Sequence, residues 1–221
     1  MSNFIKGMIK NVPLINKVFI VVKRFFLKEK PFKNSEQYWI ERYNSGGDSG
    51  YGSYGRHAEF KAKIINTFIK DNNVQTVIEF GCGDGNQLKY LELPSYIGYD
   101  ISSKAIDNCN QIFKTDSSKS FRLIKDYSPT AADLTLSLDV IYHLIEDEIF
   151  DSYMKRLFES SNKYVIIYAW DVYQPEENRK DAHVKHRLFS KWVKENKPQF
   201  TLQSYIPDNL SAHFYIYKLT N

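Results

Sequence analysis

Cysteine is scarce: Cys82 and Cys109 are the only two in 221 residues. That excludes a disulfide scaffold and a four-cysteine zinc site and points to a reducing, cytoplasmic compartment. Long apolar runs are also missing. Residues 4–27 are rich in Phe, Ile, Val and Leu, but lysines break each run before it reaches the roughly 18 residues a membrane span needs. No small-residue cleavage site follows, which argues against a secretory signal. The body lacks a basic surplus as well. Residues 1–30 carry seven basic side chains against one acid, Glu29, so this tail holds +6 and the rest of the chain −2. A body of that sign is not built to bind nucleic acid. The tail reads as a basic amphipathic segment. It either lies on the anionic inner face of a membrane or packs, through residues 4–27, on protein, a second copy included.

What the chain does have is core material. Hydrophobic residues make up 43% and aromatics 15%, with 16 Tyr and 15 Phe, which excludes disorder as the main state. Residues 31–71 read as a cap. Ser35–Tyr43 forms a short helix capped by Ser35, with Tyr38, Trp39 and Tyr43 packing it. Five of the ten glycines then crowd into residues 46–55, which makes 45–56 a loop able to act as a lid. Ala58–Lys70 repeats Phe60, Ile64, Ile65, Phe68 and Ile69 at helical spacing.

Residues 72–221 form the third part. Strands are expected at Val74–Phe80, Tyr96–Asp100, Phe121–Ile124, Leu134–Leu138, Tyr164–Ala169, Phe200–Ile206 and His213–Lys218. Helices separate most of them: Asn86–Leu93, Ser103–Phe113 with Ala105, Ile106, Cys109 and Ile112 inward, Glu146–Ser160 and Ser190–Asn196. Alternating strand and helix predicts a parallel, doubly wound sheet. Only Pro207–Ser211 separates the last two strands, so that pair must be antiparallel, because a parallel crossover needs a dozen or more residues.

The chemistry concentrates in Val77–Gly85, VIEFGCGDG. A buried strand runs into Gly81-X-Gly83-X-Gly85, and Asp100 ends the next strand 21 residues after Glu79. Glycines there permit a sharp turn and a close backbone approach, and the carboxylate can accept hydrogen bonds from a ribose. A dinucleotide site wants a further glycine at 86, where this chain has Asn86. Glu79 inside the strand, the glycine turn, Asp100 and the terminal antiparallel pair together resemble the class I S-adenosylmethionine-dependent methyltransferases. The resemblance spans about residues 72–219. It implies an α/β fold with a seven-stranded, mostly parallel sheet whose last strand is reversed. It also implies S-adenosylmethionine as cofactor. The stretch YGSYGRHAEFKA ahead of EFGCGDGNQL is similar to methyltransferases of bacterial capsule and surface-polysaccharide modification, including the O-methyl phosphoramidate pathway. A nicotinamide oxidoreductase, a fold that has lost catalysis but still binds, and an N-methyltransferase of a small metabolite stand as rivals.

The resemblance assigns roles residue by residue. Glu79, Gly81, Cys82, Gly83 and Asp84 face the methionine part of the cofactor. Asp100 holds the ribose, with Ile101 beside the adenine and Asp126 near its amino group. Tyr54 and Arg56 of the lid reach the cofactor, and Tyr51 the acceptor. SLDVIYHL after strand four looks like the small-molecule branch. It lacks the Pro-Pro-Tyr of the amino-methylating DNA enzymes and the Pro-Cys of the cytosine enzymes. Asp139 and His143 are its catalytic candidates, His143 as a base near neutral pKa. His183, His186 and Arg187 cluster after strand five, where clustered donors suit an anionic acceptor. No metal set is indicated. The expected partner is a small-molecule or glycan-type acceptor methylated at oxygen.

Overall fold

A computed structural model describes residues 31–208 and 212–220. The expectations for the tail, its membrane contact and its self-association fall outside these residues. Residues 33–221 form one unit. No helix among the described residues is long and apolar enough to cross a membrane.

Seven strands form one sheet: β1 Val77–Phe80, β2 Tyr96–Asp100, β3 Lys119–Leu123, β4 Ala132–Leu138, β5 Ser161–Ala169, β6 Phe200–Ile206 and β7 His213–Leu219. Their order is β3-β2-β1-β4-β5-β7-β6. The pairs among β1 to β5 are parallel, and β7 is antiparallel to both β5 and β6. The reversed last strand follows from the short β6–β7 connection, as expected. Among the described residues five α-helices accompany the sheet: α1 Ser35–Asn44, α2 Gly55–Asp71, α3 Ser103–Ile112, α4 Asp147–Glu159 and α5 Phe189–Asn196.

Strand alternation sorts the core into two layers. Val77, Leu134, Leu136, Ile166 and Phe214 face one side, packed with Ile65 and Ile69 of α2 and with Ile106 and Cys109 of α3. Ile78, Phe80, Val165, Ile167 and Tyr215 face the other, with Met154 and Leu157 of α4 and Phe189 and Val193 of α5. Each such side chain, fully buried, contributes about 1.5–3 kcal/mol over exposure. Helix α2, grouped with the cap from sequence, therefore belongs to the main core.

Three local expectations need correction. Helix α1 is capped by Asn34, whose side chain accepts from the Gln37 N–H at 2.7 Å. Ser35 instead ties α1 to the segment after β4. Its hydroxyl accepts from the Ile145 N–H at 2.8 Å and its own N–H donates to Glu146 Oε1 at 3.1 Å. In α3 the inward face ends at Cys109: Ile112, the last residue, is 44% exposed, and Phe113 packs against the core in its place. After the glycine turn the expected helix is a single 3₁₀ turn, Gln87–Tyr90.

Candidate active site

In a sheet of this order the loops after β1 and β4 leave in opposite directions, which opens a crevice at their carboxyl ends. A cavity of about 810 Å³ lies there, lined by Glu79–Gly83, Asp100, Ile101, Lys125 and Leu138–Val140 among others. The glycine turn is shaped by contacts only glycine allows. Gly81 has φ +82°, and a Cβ on it would stand 2.6 Å from Val140 Cγ2. Its N–H and that of Cys82 donate to the Tyr99 carbonyl at 2.7 and 3.1 Å.

Asp100 anchors the turn to the next strand. Its two carboxylate oxygens accept from the Gly83 and Ser102 N–H groups, both at 2.9 Å. Burial pushes its pKa up, opposed by these backbone donors. Each oxygen keeps a further acceptor site. Glu79 lies beneath, accepting from the Tyr96 hydroxyl at 2.6 Å, and burial pushes it up to about 7.

Four residues expected on the cofactor lie elsewhere. Asp84 turns its carboxylate toward the lid, accepting from the Ser49 N–H (2.9 Å), the Tyr54 hydroxyl (2.7 Å) and the Asn86 N–H (3.0 Å). Tyr54 spends its hydroxyl on that contact, and neither residue lines the cavity. Arg56 is exposed in the first turn of α2, and Asp126 is exposed one residue past Lys125, which does line it. The acidic and polar residues of the glycine segment thus latch the lid: Asn86 Nδ2 also donates to the Ser53 carbonyl at 2.8 Å.

A second cavity of about 250 Å³ adjoins, lined by Tyr38, Arg42, Gly50, Tyr51, Gly52, Tyr142 and His183. Trp39, Ser49, Asp139 and His143 line both spaces and form the seam between them. So the α1 aromatics, expected only to pack the helix, are walls of the site. Tyr51 edges onto His57 at 4.5 Å.

Asp139 sits in left-handed backbone, φ 61°, directly after β4. Its Oδ1 accepts from the Tyr142 hydroxyl at 2.8 Å, and its Oδ2 meets Lys61 Nζ at 2.5 Å. Gly52 of the lid packs so close that a Cβ there would stand 2.7 Å from Oδ2. Lys61 is fully buried, 0% exposed. Sequence reading passed over it, although a signal existed. Lys61 falls on the α2 stripe of Ala58, Ala62, Ile65 and Ile69, where a charge needs a buried partner.

His143 sits between an edge-on Trp39, 4.8 Å away, and a stacked His183 at 5.6 Å. Its Nδ1 lies 2.9 Å from the His183 carbonyl. A carbonyl only accepts, so Nδ1 carries the proton and Nε2 holds a lone pair. Burial pushes its pKa down to about 4, which corrects the expected base near neutrality. At pH 7 the ring is neutral, a hydrogen-bond acceptor and a weak base.

The anion cluster after β5 does not assemble at the seam. Arg187 donates to the Leu144 and Ile145 carbonyls, each at 2.7 Å, pairs with Asp147 at 2.7 Å and lies over the Phe150 ring. It latches the 170–188 loop to the start of α4. His186 faces Tyr142 at 5.6 Å and lines neither cavity. Only His183 of the three lines the second cavity, stacked on Tyr38 at 4.4 Å. A cation that does line it is Arg42, a residue not singled out in the sequence, which is itself paired with Asp48 of the lid at 2.9 Å. Among the described residues no group of three or more His, Cys, Asp or Glu side chains is placed to hold a metal ion.

This geometry can be set beside known proteins. The chain is similar in fold to the N-methyltransferase NodS from Bradyrhizobium japonicum WM9, crystallised with S-adenosyl-L-homocysteine. The identity is 16%, 86% of this chain and 100% of that one are covered, and the TM-score is 0.66. It is similar also to magnesium protoporphyrin IX methyltransferase from Synechocystis PCC 6803 with bound S-adenosylmethionine, at 14% identity over 87% and 100%, TM-score 0.61. A putative O-methyltransferase from Klebsiella pneumoniae follows at 11% over 91% and 97%, TM-score 0.56. A search of curated proteins finds no match. The model of a methyltransferase-domain family matches residues 53–199, a stretch that holds the glycine turn, Asp100, Lys61 and the Asp139–His143 seam, and the chain belongs to that family.

Proposed function

We propose that this protein is an S-adenosylmethionine-dependent O-methyltransferase acting on a small or glycan-type acceptor that bears an anionic group, in surface-polysaccharide biosynthesis. The observation that carries the reading is the seam: Asp139 and His143 line both the crevice at the glycine turn and the smaller aromatic cavity. The residues present fit the cofactor. The crevice has room for a nucleoside with an amino-acid arm, and the glycine turn is a cradle that a Cβ at Gly81 would obstruct. Asp100 keeps acceptor positions for two ribose hydroxyls, Ile101 and Leu123 offer apolar surface to a base, and Glu79 lies where a positive arm would ionise it.

S-adenosylmethionine, when bound, supplies a methyl group already activated on a sulfonium. The chain's own task is then orientation and exclusion of water. The lid contributes Ser49 to both cavities and Tyr51 to the smaller one, latched through Asp84. Tyr38, Trp39 and Tyr142 give flat apolar walls suited to a sugar face, and Arg42, whose Nε and Nη2 already bond Asp48 of the lid at 2.6 and 2.9 Å, has Nη1 left for an anionic group. His143 lines both cavities as a neutral ring. A cavity of about 250 Å³ suits one sugar-sized group. The similarity of residues 51–62 and 79–88 to capsule methyltransferases supports the glycan setting.

The reading is tested with methyl-labelled S-adenosylmethionine and a panel of nucleoside-diphosphate sugars, sugar phosphates, short RNA and DNA, and protein. Label is expected on the sugar-type acceptors, as an oxygen-linked methyl group. Label confined to nucleic acid or protein, or none on any sugar-type acceptor, would overturn it.

A further inference from the structure

We propose that Lys61 is a positioning residue that fixes Asp139 at the seam, and that the site thereby selects an acceptor atom with a hydrogen to donate, a hydroxyl rather than a bare anionic oxygen. The inference rests on the methyl transfer proposed above. Lys61 comes from α2, 78 residues away in sequence, and is buried completely. Its ammonium meets Asp139 Oδ2 at 2.5 Å and lies 5.1 Å from the centre of the Tyr168 ring. An ammonium with no exposure is held only where a counter-charge offsets its lost hydration. Asp139 is that counter-charge, on backbone turned to φ 61°. Tyr142 takes the other oxygen, and Gly52 closes over Oδ2 without a side chain. Four elements converge on one carboxylate whose residue lines both cavities.

A carboxylate so fixed only accepts hydrogen bonds and has no hydrogen to offer an anionic oxygen. An acceptor O–H can donate to it, and an ionised phosphate oxygen cannot. As the oxygen–methyl bond forms and the sulfur–methyl bond breaks, the hydroxyl proton passes to the Asp139 carboxylate and then to solvent. The cofactor leaves as the neutral thioether. The anionic group of the acceptor is held apart from the reacting atom, on the Arg42 side of the smaller cavity.

The test uses the full chain with Lys61→Met, Asp139→Asn and the double variant. Binding of S-adenosyl-L-homocysteine by calorimetry checks that the cofactor crevice survives. The double variant removes both charges together, so it folds even where Lys61→Met alone leaves a buried carboxylate unpaired. Turnover is measured on the sugar-type probe that the wild type methylates. Each single variant is expected to lose kcat by about 10–100-fold, the scale of an ångström-size misplacement, with the product affinity held within about threefold, well under the tenfold that 1.4 kcal/mol represents. The double variant should lose no more than the worse single, because Lys61 acts through Asp139. A crystal structure of Lys61→Met with S-adenosyl-L-homocysteine should show Asp139 turned away from the seam. Asp139 unmoved, kcat unchanged in Lys61→Met, or losses that multiply in the double variant would overturn the inference. A methylated phosphate oxygen as the wild-type product would do the same. If the wild type binds no S-adenosyl-L-homocysteine, the underlying reading fails instead, and this inference with it.

Discussion

The two halves of the site are built in opposite ways. The crevice half is local: Glu79, Gly81, Cys82 and Gly83 are nearly consecutive, and Asp100 reaches Gly83 across 17 residues. The acceptor half is assembled from afar. Lys61 meets Asp139 across 78 residues and His143 meets His183 across 40. Backbone geometry dictates the first half, so residue type and spacing reveal it. The second depends on which side chains the fold brings together, so neighbouring residues in sequence part company in space.

Substitutions in the two halves should separate them. The largest effect is expected at Gly81. An alanine there must hold φ near +82° with its Cβ against Val140, and the left-handed backbone alone costs about 1–2 kcal/mol. Gly81→Ala should therefore lower the thermal midpoint and abolish measurable binding of S-adenosyl-L-homocysteine. Unchanged binding would mean the turn is not the cofactor cradle. Asp100→Ala should weaken calorimetric affinity for the same compound by about 1–3 kcal/mol, since hydrogen bonds to a charged group are lost.

His143 gives a prediction in pH. Its pKa falls from 6.5 unfolded to about 4 folded, so the unfolded chain binds the extra proton between those values. Stability then declines as pH drops from about 6.5 toward 4, by on the order of 3 kcal/mol in full. Glu79 acts the other way. Its folded pKa is raised to about 7, so its contribution is present below the unfolded value and lost as pH rises through 7. Because the two shifts offset each other between about pH 4.5 and 6.5, the readout is the difference: in denaturant titrations the stability of the wild type relative to His143→Gln should fall by on the order of 3 kcal/mol from pH 6.5 to 4. An identical slope in both would remove His143 from the account. Methyl transfer itself should run flat from about pH 6 to 9 with respect to His143, far above its folded pKa.

The smallest effects separate two arginines. Arg42→Ala should raise the acceptor KM and leave the affinity for S-adenosyl-L-homocysteine alone. Arg187→Ala should do neither. It should cost about 1–3 kcal/mol in a denaturant titration, the usual penalty when carbonyls lose a charged donor. The opposite pattern would return Arg187 to the acceptor site and leave Arg42 on the surface.

Much of this was legible from the chain itself. The parallel order, the reversed last strand, the glycine turn and Asp100 all follow from strand periodicity, glycine spacing and a connection too short for a crossover. The rest was hidden for identifiable reasons. Asp84 carries the motif's acid, yet Ser49, Tyr54 and Asn86 claim its oxygens, and nothing in a linear reading tells a cofactor contact from a lid latch. Arg187 looks like a free anion binder until Asp147 and two carbonyls meet it. His143 keeps its place beside both cavities, but enclosure by Trp39 and His183 changes its protonation, which sequence position does not encode. Lys61 was the exception: a lysine on an apolar helical stripe is visible as an anomaly, and its partner had to be an acid.

On the reading proposed, the crevice at the glycine turn takes S-adenosylmethionine, and Asp139 and His143 face the transfer. The most direct measurement is calorimetric titration of the full chain with S-adenosyl-L-homocysteine and, separately, with NAD. One-to-one binding of S-adenosyl-L-homocysteine is expected, weakened in Asp100→Ala, with no binding of NAD. Binding of NAD without S-adenosyl-L-homocysteine would contradict it.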